Sequence, residues 1–140
     1  MSGIKINGAK KNFFNIKHLS QKLTDFANEE GFEIERLEYN FVDSEKMFSL
    51  NKDFLNHDTD TDVITFDYSE SKTIVAEVFI SNEMMIKNAN ENTQSIENEA
   101  CRLFSHALLH CTGYKDKTND DKVKMRTKEN EFIFAVSRET

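Results

Sequence analysis

Between Ile96 and Cys111 the chain sets Leu103, Phe104, Ala107, Leu108 and Leu109 on several sides of a predicted helix, with no proline to interrupt it. A helix that is apolar on several faces is buried at the centre of its domain, so the remaining elements have to be built around it. Two of the chain's four histidines, His106 and His110, fall inside this segment. Four helical residues turn by about 400°, which puts both imidazoles on nearly one face, about one turn apart. Buried imidazoles need partners, and one cation can reach both.

The elements around this helix follow from periodicity. Ile16 to Asn28 repeats Ile16, Leu19, Leu23 and Phe26 at helical spacing, and Gly31 stops it. Phe32 to Val42 alternates like a half-buried strand and then shifts phase near Arg36 and Leu37, which predicts a strand with a bulge. In Asp43-Ser44-Glu45 the preferred cap is Ser44, opening a short helix with Met47, Phe48, Leu50 and Phe54. Asp62–Tyr68 and Thr73–Ile80 are rich in β-branched and aromatic residues and flank a polar turn, as in a hairpin. A further helix starts at Asn82, Gly113 ends the central one, and Thr118 to Asp121 has the form of a capping box for a last helix with Val123, Met125, Phe132 and Val136. Gly3 to Gly8 is the candidate first strand. The sum is an α/β (α+β) domain: a small mixed sheet of about four strands with packed helices.

One domain over residues 1–140 is the expectation, because this length buries a core without disulfides, and 38% hydrophobic with 31% charged residues is a globular balance. Cys101 and Cys111 are ten positions apart on one helix, too far for a disulfide, and read as core thiols. No stretch reaches the roughly 20 apolar residues that span a bilayer, and Met1-Ser2-Gly3-Ile4-Lys5 lacks a signal peptide's apolar core, so a cytoplasmic protein without a membrane partner is expected. The net charge of -7 repels polyanions at long range and argues against a general nucleic-acid-binding module.

Two histidines on a helix supply two metal ligands, and catalysis needs a third with a position left open. Gly113 can reverse the chain so that the carboxylate of Asp116 returns to the same ion. The bland alternative is a pair of hydrogen-bonded polar residues, and the buried setting favours the metal. Should Asp116 not serve, Asp120, Asp121 or Cys111 are the next donors. Residue 107 is alanine, so the glutamate of a helical H-E-x-x-H peptidase is missing and a peptidase of that type is disfavoured.

The run His106-Ala107-Leu108-Leu109-His110-Cys111-Thr112-Gly113-Tyr114-Lys115-Asp116 resembles the signature of the YbeY family of endoribonucleases, H-G-x-L-H-x-x-G-Y-D-H. Leu50-Asn51 through Thr61-Asp62-Val63-Ile64-Thr65-Phe66, Ala76 to Ser81, and Met125 with Glu129 look like further family segments. The resemblance implies that His106, His110 and Asp116 bind one Zn2+ on a zincin-like helix, with Asp116 standing where the family has its third histidine. It also implies endonucleolytic cleavage of single-stranded RNA in ribosomal RNA maturation, on an rRNA precursor and in association with the ribosome. The family's site arginine falls on Leu55, and its aspartate before the third histidine on Lys115. A carboxylate as third donor makes the ion a weaker Lewis acid and suits Fe2+ or Mn2+ better than three imidazoles do.

No residue is assigned as general acid or base, and the oligomeric state is left open. Thr61, Asp62 and Thr65 are expected to set the edge of the hairpin, with contact to substrate as the lesser alternative, and His57 beside Asp58 to be a loop histidine rather than a base. Lys46, Lys52, Lys87 and Arg102 are candidates for a phosphate path, although lone surface cations usually only solvate. Two other readings compete with the nuclease: a metal-dependent hydrolase of small amides or peptides, and a non-catalytic ribosome-associated factor.

Overall fold

The computed structural model describes residues 3–8, 15–55 and 61–138. The elements are β1 (Ile4–Asn7), α1 (Ile16–Glu29), β2 (Glu33–Val42), α2 (Ser44–Leu55), β3 (Val63–Asp67), β4 (Thr73–Ser81), α3 (Asn82–Glu91), α4 (Ile96–Cys111) and α5 (Asn119–Arg138). The sheet order is β1-β2-β4-β3, with β1, β2 and β4 parallel and β3 antiparallel to β4. The mixed sheet expected from the strand patterns is thus present. The phase shift in the second strand is a register shift between Ile34 and Arg36 against β4.

Alternation divides the two faces of the sheet. Leu37, Tyr39 and Phe41 of β2 and Ile74, Ala76, Val78 and Ile80 of β4 enter one large core with side chains of α1, α3, α4 and α5. Met47 and Leu50 of α2 cover the other face against Ile64, Phe66 and Phe79. Helix α4 lies in the larger core, as its composition requires: Ala100, Phe104, Ala107 and Leu109 are fully buried. The Tyr39 hydroxyl donates to the Phe104 carbonyl at 2.8 Å and the two rings meet edge on at 4.6 Å, fastening α4 to the centre of the sheet. Cys101 and Cys111 are both buried and free.

Local chemistry sets the element ends. Ser95 caps α4 by accepting from the Asn98 amide. Gly113, at φ +102°, closes the same helix, with the Tyr114 amide reaching back to the Leu109 carbonyl at 3.0 Å. Thr118 and Asp121 exchange hydrogen bonds at the start of α5, as the capping box predicts. The cap of α2 is a correction: Asp43, not Ser44, accepts from the Lys46 amide at 2.8 Å. The Ser44 hydroxyl and amide instead both donate to Glu83 of α3, at 2.7 and 2.9 Å, which fixes Ser44 as the first residue of the helix rather than its cap. Among the described residues no helix is long and apolar enough to cross a membrane.

Candidate metal centre

His106 and His110 leave the core on the only side of α4 that is open beyond its first turn. Their rings stand edge to face with centroids 4.7 Å apart, and their Nε2 atoms are 3.1 Å from each other. Each Nδ1 is turned away from the pair towards an acceptor. His106 Nδ1 lies 2.7 Å from Oε2 of Glu129 on α5, and His110 Nδ1 lies 3.2 Å from the Tyr114 carbonyl. Protons on both Nδ1 atoms leave both Nε2 lone pairs facing the same point, the arrangement that metal-binding histidines adopt when an outer acceptor holds the other nitrogen. Burial, followed by the charge of His106, pushes the His110 pKa below its ordinary value, which keeps that ring neutral at neutral pH.

Asp116 closes the third side. After the Gly113 reversal its Oδ2 lies 3.5 Å from Nε2 of His106 and 3.7 Å from Nε2 of His110. These three ligand atoms lie within 4.8 Å of one another and form a group that can hold a metal ion. Ligand atoms about 2.0–2.1 Å from a tetrahedral zinc are spaced about 3.3–3.4 Å apart, so two nitrogens and an oxygen at these distances fit one face of such a site. The alternative donors Asp120, Asp121 and Cys111 do not join this group. The Asp121 carboxylate is committed to the Thr118 cap, and the Cys111 thiol is buried against Asp67, with burial as the main cause pushing it up to about 12.

The group opens into a cleft of about 530 Å³ whose far wall is the β3 edge, with Thr61, Asp62, Thr65 and Asp67. Thr61, Asp62 and Thr65, expected at the edge of the hairpin, also line this cleft. Its described lining contains no lysine or arginine, so Lys46, Lys52 and Lys87 do not provide a phosphate path here. Arg102 is engaged beneath the cleft: it is ion-paired with Glu99 and lies 3.8 Å from both Asp62 and Glu129. Its position one helical turn before His106 is the sequence signal that could have marked it. Oε1 of Glu129 accepts no hydrogen bond and faces Arg102 at 3.8 Å and Arg126 at 3.6 Å. His57 and Asp58, together with the Leu55 side chain, lie outside the described residues.

Known proteins share this arrangement of sequence. The family model described as Endoribonuclease YbeY matches residues 4–137. A protein of Cytophaga hutchinsonii named Endoribonuclease YbeY is 43% identical over 109 residues, covering 77% of this chain and 76% of its own. A protein of the same name from Karelsulcia muelleri is 32% identical over 129 residues, covering 92% of each chain. Among solved structures, the solution structure of TM1509 from Thermotoga maritima superposes with a TM-score of 0.70 at 25% identity, covering 95% of this chain and 88% of that one.

Proposed function

This chain belongs to the YbeY family of endoribonucleases, and we propose that it cleaves single-stranded RNA internally, in ribosomal RNA maturation, with one divalent cation held by His106, His110 and Asp116. The observation that carries the reading is the convergence of two Nε2 atoms and one carboxylate oxygen at the mouth of the cleft. The chain acts as a single domain over residues 1–140, on an rRNA precursor at the ribosome in the cytoplasm. Zinc is the first assignment for the ion, with Fe2+ and Mn2+ as the alternatives that a carboxylate donor favours.

A cation in this position supplies Lewis acidity towards a phosphoryl oxygen. The chain's own residues prepare the site for it. Glu129 and the Tyr114 carbonyl hold the two imidazoles in the tautomer that aims Nε2 at the cleft. Asp62 and Asp67 on the opposite wall make the cleft electronegative, so an RNA phosphate is drawn in only where cationic charge has been added. Thr61 and Thr65 set hydroxyl donors beside that position. Residue 107 is alanine, so that position offers no carboxylate to serve as the base of a peptidase.

Incubating metal-loaded protein with single-stranded RNA and sequencing the product ends tests the reading. Internal cleavage is expected, and His110→Ala is expected to abolish it. A His110→Ala protein that cleaves like the unaltered one would overturn the reading. Attack by the RNA's own 2′-hydroxyl leaves a cyclic phosphate and a 5′-hydroxyl, whereas a 5′-phosphate end identifies water as the nucleophile.

A further inference from the structure

From Glu99 to Cys111 every residue of α4 is buried except Arg102, His106 and His110, and Asn98 continues the same line one turn earlier. Positions four apart drift by only about 40° around a helix, so these four residues form one polar stripe along it. The metal cleft lies over the His106–His110 end. Over the Asn98–Arg102 end lies a second cavity of about 470 Å³ between α4 and α5, lined by Gln94, Asn98, Arg102, Arg126, Asn130 and Phe134 among others. Arg102 joins the two cavities, lining the second and lying 3.8 Å from Asp62 in the wall of the first.

The chemistry of the second cavity differs from that of the first. Four carboxamides, those of Asn92, Gln94, Asn98 and Asn130, stand on its walls, and each couples a donor and an acceptor in one plane, as the edges of nucleobases do. Asn98 Nδ2 donates to Gln94 Oε1 at 3.2 Å, which leaves the Gln94 amide donors and the Asn98 carbonyl oxygen outside this bond. Phe134, 62% exposed, adds an aromatic ring to the lining. The Arg126 side chain, 61% exposed, supplies the cationic charge that the described lining of the metal cleft lacks.

We propose that this cavity is a nucleotide subsite of the RNA path, in which the carboxamides read a base and Arg126 meets its phosphate; the proposal rests on the reading of the metal cleft as the place of cleavage. Asn98 and His106 are about 12 Å apart along the helix axis. A stacked strand advances about 3.4 Å per nucleotide, so the subsite is beyond the reach of a dinucleotide centred on the metal.

The test compares a dinucleotide with the same dinucleotide extended by four nucleotides on its 5′ or its 3′ side, in the metal-loaded protein and in a Gln94→Ala, Asn130→Ala double variant. Both positions are exposed and neither lines the metal cleft. Extension on one side is expected to lower KM in the unaltered protein. The double variant is expected to lose about tenfold of that gain in kcat/KM through KM, with kcat, bound metal and dinucleotide cleavage unchanged. An undiminished gain in the double variant, or no gain from either extension, overturns the subsite and leaves the cleavage reading intact. An unaltered protein that cleaves no RNA removes both.

Discussion

Oε2 of Glu129 stands 2.7 Å from Nδ1 of His106, and the residue that makes this contact is 1% exposed. A buried carboxylate opposite an imidazole fixes the ring's tautomer and raises the basicity of the nitrogen that faces the cleft. Losing such a partner typically weakens metal binding about 10- to 100-fold. Glu129→Ala is expected to show a loss of that size in a zinc titration with a competing chelator. Glu129→Gln keeps an acceptor for Nδ1 and is expected to recover most of it. Equal metal affinity in the alanine variant and the unaltered protein would show that the contact does not position His106.

Metal analysis separates the roles of the third donor. Asp116→Ala removes one of three ligand atoms and is expected to lose most of its metal on dialysis, while Asp116→His is expected to retain about one ion per chain. The histidine variant is also expected to favour zinc over manganese more strongly than the unaltered protein, since a third imidazole replaces an oxygen donor. Full occupancy in the alanine variant would exclude Asp116 as a necessary ligand.

Gly113 links backbone conformation to the centre. A Cβ there meets nothing within 4 Å, so the cost of Gly113→Ala comes from the backbone at φ +102° alone. Destabilisation of about 1–3 kcal/mol is expected in a denaturant titration. Because the next residue carries the carbonyl that holds His110, weaker metal binding is expected to accompany it. A variant of unchanged stability would mean that the turn relaxes without strain.

Acid is expected to destabilise the metal-free protein through His110. Burial first, and then the charge of His106, lowers its pKa in the folded state. Above about pH 6.5 the ring is neutral in both folded and unfolded chains and contributes nothing. As the pH falls from about 6.5 through the lowered folded value, the unfolded chain takes up the proton first, and stability is lost over that interval. His110→Asn is expected to flatten the decline of Tm across the same window. An equally steep decline in the variant would assign the loss to other groups.

Much of this molecule is legible in its sequence because its signals are local. Helix α4 begins and ends at the residues that its apolar run and Gly113 indicate, and the phase shift near Arg36 corresponds to a real change of register. The spacing of His106, His110 and Asp116 was readable for the same reason, since a helix and one turn determine it. What escaped depends on pairing across the fold. Ser44 and Asp43 are alternative caps in the sequence, and only the fold shows Ser44 bonded to Glu83, 39 residues on, while Asp43 accepts from the Lys46 amide. Arg102 reads as a lone cation until Glu99, Asp62 and Glu129 gather round it from three parts of the chain. The strand order β1-β2-β4-β3, which brings Thr61 and Thr65 opposite the histidines, has no local signature at all.

His106 and His110 rise from a helix packed on almost every side, whereas Asp116 belongs to a turn and its side chain is 45% exposed. The centre is therefore divided into a fixed half and an exchangeable half. The two imidazoles are held by the packed helix that carries them, whereas the side chain at position 116 can change without moving a packed atom. For the ion proposed here, the donor set could therefore be altered at residue 116 while the packed faces of α4 stay as they are.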